Sequence, residues 1–213
     1  MGRRALRKID PAIDLTRHLV RFDDLPAPWD AAALFGRHAA LEVEVGWGLG
    51  LFRRWAAAER PETDFLGIEV AEKYARFAAA GLKKRELSNA KVVWGDALRV
   101  FAERLGDECA AAVHVYFPDP WWKKRHRKRR VMRESFLRDV ERVLVVGGSL
   151  HFWTDVEEYF RETLDLIAHT TRLVGPLDVA EQPAEHDLDY RTHFERRMRQ
   201  HGLPVFRSEY RKR

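Results

Sequence analysis

From Leu41 onward, short apolar runs alternate with longer stretches in which apolar residues recur every three or four positions. That alternation predicts successive strand-helix units and a mainly parallel sheet. Leu41–Val45 reads as the first strand, and a helix passes through Phe52 and Trp55 to about Glu59. Phe65–Ile68 reads as a second strand ending at Glu69, followed by a helix over about Ala71–Arg85. Val92–Trp94 makes a third strand ending near Asp96, and a helix covers about Ala97–Leu105. Ala111–Phe117 makes a fourth strand that Pro118 stops. Phe136, Leu137, Val140, Val143 and Leu144 recur at helical spacing, and Gly147 with Gly148 is expected to stop that helix before a strand over Ser149–Trp153. Asp155 to about Ala168 reads as helical, and Gly175–Tyr190, with two prolines and many acids, as a long surface loop. A last helix, Thr192–His201, and a last strand, Leu203–Tyr210, close the pattern.

The first residues lack this order. Pro11, Pro26 and Pro28 fall among basic and aromatic residues with no sustained period, which predicts an irregular or only locally helical arm over residues 1–29. The expected organisation is an arm with a first helix, residues 1–39, and one α/β domain, residues 40–213.

Composition narrows the function. One cysteine, Cys109, excludes an internal disulfide and a multi-cysteine zinc site, so no metal is expected. The basic start MGRRALRKID has no apolar stretch after it to form a signal peptide, and no run approaches the roughly twenty apolar residues of a membrane span. A cytoplasmic protein without membrane partners, monomeric or weakly dimeric, is expected. The net charge of +5 favours acidic partners. Its distribution matters more, because residues 123–130, KKRHRKRR, form one nearly unbroken cationic run.

Chemistry gathers at the carboxyl ends of the strands. The first strand runs into Glu44-Val45-Gly46-Trp47-Gly48-Leu49-Gly50, a turn whose glycines allow backbone to approach a ligand. Leu51 and Arg53 occupy the positions where a dinucleotide fingerprint needs its third glycine. The turn instead suits a nucleoside without a pyrophosphate, such as S-adenosylmethionine. Glu44, Glu69 and Asp96 then end three successive strands, at the edge where open α/β sheets bind ligands. Glu69 is placed to accept from ribose hydroxyls, Glu44 to hold the cationic amino-acid end and Asp96 to accept from the adenine amino group. Acids at strand ends also cap the helices that follow them.

The fourth strand enters Phe117-Pro118-Asp119-Pro120-Trp121-Trp122, where two prolines stiffen the backbone around one carboxylate. Asp119 is the candidate catalytic residue: it can accept from N1 and N2 of a guanine and turn N7 toward a methyl sulfonium. The cationic run follows at once, and Arg127, Arg129 and Arg130 are candidate phosphate contacts within it. Trp121 and Trp122 are each placed either to stack on bases or to join the core.

FPDPWWKKRHRKRR, with EVGWGLG and GIE before it and TD and THFE after it, resembles the bacterial tRNA (guanine-N7)-methyltransferases over about residue 40 to the end. The resemblance implies a Rossmann-like class I methyltransferase, with a mainly parallel sheet, helices on both faces and an antiparallel C-terminal strand. It implies S-adenosylmethionine as donor and a guanine in the variable loop of tRNA as acceptor. By position it makes Glu44, Glu69, Asp96 and Asp119 cofactor contacts beside the turn glycines Gly46, Gly48 and Gly50. Lys123, Asp155 and the segment Thr192-His193-Phe194-Glu195 become substrate contacts. Trp122 and His193 depart from the usual pattern. Thr192 and Glu195 also have the spacing of a helix capping box. A non-catalytic RNA-binding module on the same fold is the competing reading.

Overall fold

The computed structural model describes residues 6, 8–48, 56–180 and 192–213. Its strands in chain order are β1 (Leu19–Arg21), β2 (Ala40–Val45), β3 (Thr63–Glu69), β4 (Ala90–Trp94), β5 (Ala110–Tyr116), β6 (Leu144–Thr154), β7 (Val174–Leu177) and β8 (Phe206–Arg211). The helices are α1 (Ala31–Phe35), α2 (Glu72–Lys83), α3 (Ala97–Glu103), α4 (Glu134–Val143), α5 (Glu157–Thr170) and α6 (His193–Gln200). Residues 56–59 are also helical, and Lys124–Arg129 forms a 3-10 helix.

One sheet runs in the order β1-β4-β3-β2-β5-β6-β8-β7. The pairs from β1 through to β6 are parallel, and β8 is antiparallel to both β6 and β7. Because side chains alternate across a strand, Leu41, Val43 and Val45 join one core with Phe101, Phe136, Leu137 and Tyr159 of α3, α4 and α5. Phe65 and Val92 join another core with Ala75, Ala78, Ala79 and Leu82 of α2. The sheet is thus covered on both faces, which is why all seven residues of β3 are buried. No helix among the described residues is long and apolar enough to cross a membrane.

Four readings from the residue pattern are corrected. The arm contributes a strand, since Leu19, Val20 and Arg21 pair in parallel with Val92, Val93 and Trp94, and Phe22 and Leu25 are buried behind them. Three residues are too few to display a period, so the pairing is invisible without β4. The long loop expected from Gly175 contains most of β7, an edge strand on β8. Pro176 is tolerated there because an edge strand has one side with no ladder bond to make. Gly147 and Gly148 do not precede β6 but lie inside it, where the β5 register shifts between Ala110 and Ala112. The helix read from Asp155 begins at Glu157, leaving Asp155 outside it. Gly50, Phe52 and Trp55 lie outside the described residues, as does the acidic stretch over residues 181–190.

Candidate active site

The carboxyl ends of β2, β3, β4 and β5 open into one cleft of about 790 Å³. That volume lies within the range of small-molecule sites. Gly46, Gly48, Glu69 and Asp96 line it from one set of strand ends, and Phe117, Pro118, Asp119 and Trp121 from the loop after β5. Lys128, Arg129 and Arg133 line it as well.

The turn after β2 is built by backbone chemistry. Gly46 and Gly48 have φ of +78° and +54°, a region that side chains disfavour. The Glu69 carboxylate accepts from the Gly48 N–H at 3.0 Å and from the Ala71 N–H at 2.9 Å, tying the turn to the end of β3. Between the two glycines, the Trp47 ring packs directly against Gly67 of β3: a Cβ on Gly67 would fall 0.9 Å from Trp47 Cε3. Asp96 caps α3, one oxygen accepting from the Leu98 N–H at 2.9 Å, and its second oxygen has no protein partner among the described residues. Capping and ligand contact are therefore compatible at both acids, because each carboxylate oxygen offers about two acceptor sites. Glu44 differs. It is buried in the sheet, across from Gly67 and His114, and does not line the cleft.

The loop after β5 is strained on both sides of its acid. Phe117 and Trp121 have φ of +49° and +45°, conformations that cost L-residues free energy and persist only where the surroundings impose them. The Phe117 N–H donates to the Trp153 carbonyl at 2.8 Å, and its ring packs 4.9 Å from that of Phe194. Asp119, between Pro118 and Pro120, is exposed at the cleft and carries no hydrogen bond or ion pair among the described residues.

The cationic run divides by task. Arg130 is 8% exposed. It donates to the Pro120 carbonyl at 2.7 Å, is paired with Glu162 of α5, and lies 4.4 Å from the Tyr159 ring centre. Burial pushes the Tyr159 phenol up to about 12, so the ring beneath Arg130 stays neutral. Arg127 pairs with Glu158 and Glu162 at 2.8 and 2.9 Å. The expectation that Arg130 contacts phosphate is corrected, because its guanidinium is enclosed and already committed; Arg127 is committed too, though partly exposed. Lys123, Lys124, Arg125 and Lys128 are exposed, without a carboxylate partner among the described residues. Arg129 is exposed and lies 5.1 Å over the Trp121 ring.

The THFE segment is placed by packing. The Thr192 hydroxyl caps α6, accepting from the Glu195 N–H at 2.9 Å. Glu195, expected to contact substrate, is 3% exposed and pairs with Arg199 and Arg207 at 3.4 and 3.3 Å. Its observed contacts anchor α6 to β8. The His193 side chain lies outside the described part of the structure. Asp155 is only partly exposed, and burial raises its carboxyl above the usual range.

Tyr116 and Tyr74 also line the cleft, and the sequence pattern does not single them out. Tyr116 ends the same strand that delivers Asp119, which is the available signal. Its hydroxyl shares a 2.8 Å hydrogen bond with His114 Nδ1, whose Nε2 lies 3.0 Å from Glu42, and Arg60 grips Glu42 at 2.6 and 3.1 Å.

A glycine turn and acids at the tips of a mainly parallel, doubly covered sheet with an antiparallel final strand define a class I methyltransferase. Residues 38–208 match the family model described as "Putative methyltransferase". A tRNA (guanine-N(7)-)-methyltransferase of Rhodopirellula baltica is 52% identical over 219 residues, spanning 100% of this chain and 81% of the relative. Its counterpart in Cupriavidus necator is 36% identical over 212 residues, 99% of this chain and 78% of the relative. The chain belongs to the tRNA (guanine-N(7)-)-methyltransferase family. Among solved structures, the aminoglycoside resistance methyltransferase NpmB1 superposes with a TM-score of 0.56 at 17% identity, over 84% of this chain and 90% of that one. The tRNA (m1A58) methyltransferase TrmI of Aquifex aeolicus does so with a TM-score of 0.51 at 17% identity, over 82% and 62%. At these identities the likeness speaks to fold alone.

Proposed function

We propose that the protein transfers the methyl group of S-adenosylmethionine to N7 of a guanine in the variable loop of tRNA. The observation that carries this reading is Asp119: a carboxylate with no partner among the described residues, on a strained, proline-locked loop, sharing one cleft with the acids and glycines of β2, β3 and β4.

The residues present fit a sulfonium nucleoside. Glu69 keeps acceptor capacity for ribose hydroxyls after satisfying Gly48 and Ala71, and Asp96 keeps an oxygen for the adenine amino group. The donor, when bound, supplies an electrophilic methyl on a positively charged sulfur. Asp119 accepts from guanine N1 and N2 and fixes the ring so that N7 faces that methyl. N7 already holds a lone pair, so no proton is removed. Positive charge passes from sulfur to the purine, and the Asp119 carboxylate offsets it there. Rate enhancement then rests on in-line positioning, and the strained backbone at Phe117 and Trp121 is the feature that fixes the acid beforehand. Lys123, Lys124, Arg125 and Lys128 neutralise phosphates around the cleft. A cytosolic setting goes with a tRNA substrate.

The test is incubation of unmodified tRNA transcript with methyl-labelled donor, followed by digestion to nucleosides. Label is expected in 7-methylguanosine. Label in another nucleoside, or in none, overturns the proposal, and absence of donor binding by titration calorimetry returns the case to a plain RNA-binding module.

A further inference from the structure

We propose that Trp122 is a stacking platform for an unpaired nucleobase of the RNA, next to the guanine that Asp119 holds; the inference rests on the tRNA reading above. The two adjacent tryptophans sit in different environments. Trp121 lines the cleft, its ring 5.9 Å edge-on from His126 and 5.1 Å under the Arg129 guanidinium. The Trp121 backbone is left-handed, with φ +45°. Trp122 is 64% exposed and has no ring contact, cation contact or hydrogen bond among the described residues. The other large exposed hydrophobics among the described residues, Val70, Val146, Leu177 and Leu203, are all aliphatic.

An indole is the largest apolar surface a side chain can offer, and leaving it in water serves no packing purpose. Its surroundings indicate what covers it. Lys123, Lys124 and Arg125, the next three residues of the chain, and Lys128 are exposed without carboxylate partners among the described residues. An aromatic face among free cations is the arrangement that binds a nucleic acid with splayed bases: the cations take phosphates, and the ring takes the π-face of any base. Reach limits which base. Two residues lie between Asp119 and Trp122, and the three Cα-to-Cα steps span at most about 10 Å. The stacked base therefore belongs to the nucleotide beside the target, or to the next one.

The test compares wild type with Trp122→Ala and Trp122→Phe, measuring affinity for unmodified tRNA over a salt series, methylation kinetics and donor affinity. Removing the platform for one stacked base predicts that Trp122→Ala weakens tRNA binding by roughly 5- to 150-fold and raises KM. Its salt slope should match wild type, because stacking releases no counterions. Trp122→Phe should recover most of the affinity, and donor binding should be unchanged in both. Trp122→Ala binding within twofold of wild type overturns the proposal. So does a flattened salt slope, which would mean that the substitution disturbs the cations, or a Phe variant as weak as Ala. Failure of wild type to form 7-methylguanosine would overturn the reaction instead, while the binding series would still decide the role of Trp122.

Discussion

The Arg130 guanidinium donates a 2.7 Å hydrogen bond to the carbonyl oxygen of Pro120, one residue past Asp119. A cation at the end of the basic run thereby ties the Pro-Asp-Pro loop to α5 through Glu162 and Tyr159. Lysine cannot direct donors to both partners with this geometry, since it lacks the planar fork. Arg130→Lys should lower turnover at least tenfold and cost about 1.5–3 kcal/mol of stability, the scale of a hydrogen bond to a charged group. Urea unfolding and steady-state kinetics on the same preparation check this, and unchanged turnover would remove Arg130 from the support of the loop.

Asp119 is exposed and has no partner among the described residues, so its replacement should leave the fold alone. Asp119→Asn keeps the size but loses the charge and one acceptor. A fall in kcat of about 10²–10³-fold is expected, comparable with removal of one electrostatic interaction in other active sites. The urea midpoint should not move.

Gly67 lies under the Trp47 ring, with no room for a Cβ. Gly67→Ala should displace the ring and with it the turn that places the Gly48 N–H on Glu69. Overpacking of this kind costs about 1–3 kcal/mol. Donor affinity by calorimetry should fall at least tenfold together with the melting temperature. Adding Trp47→Ala should restore part of the stability, because the two substitutions act at one shared interface.

The free cations and the paired ones separate experimentally. Replacing Lys123, Lys124, Arg125 and Lys128 by Ser should flatten the dependence of log affinity for tRNA on log salt by about 0.7–0.9 for each phosphate that is no longer neutralised. Arg127→Ser should act mainly on thermal stability, through its pairs with Glu158 and Glu162. Equal slopes for the fourfold variant and wild type would rule these side chains out as phosphate ligands.

The parallel strands β2, β3, β4 and β5 were legible in the sequence because strands buried on both faces read as continuous apolar runs. An acid or glycine at the end of such a run then marks the edge of the sheet where the cleft opens, which is why Glu69, Asp96, Asp119, Gly46 and Gly48, expected there from their positions, all line it. The Pro-Asp-Pro loop and its cationic neighbour were legible for the same reason: their chemistry is local and contiguous.

What the tertiary structure decided is where each side chain of that chemistry finds its partner. β1 acquires strand character only against β4, some seventy residues away, and β7 only against β8. KKRHRKRR looks uniform as a string, yet Glu158 and Glu162 on α5 take Arg127 and Arg130 out of it and leave the lysines free. Glu195 becomes a buried anchor because Arg199 and Arg207 meet it, and Trp121 differs from Trp122 because it lines the cleft with Arg129 over its ring. Local pattern determines which groups are available. Only the folded chain, by desolvating some charges and pairing others, determines which of them remain to meet a ligand.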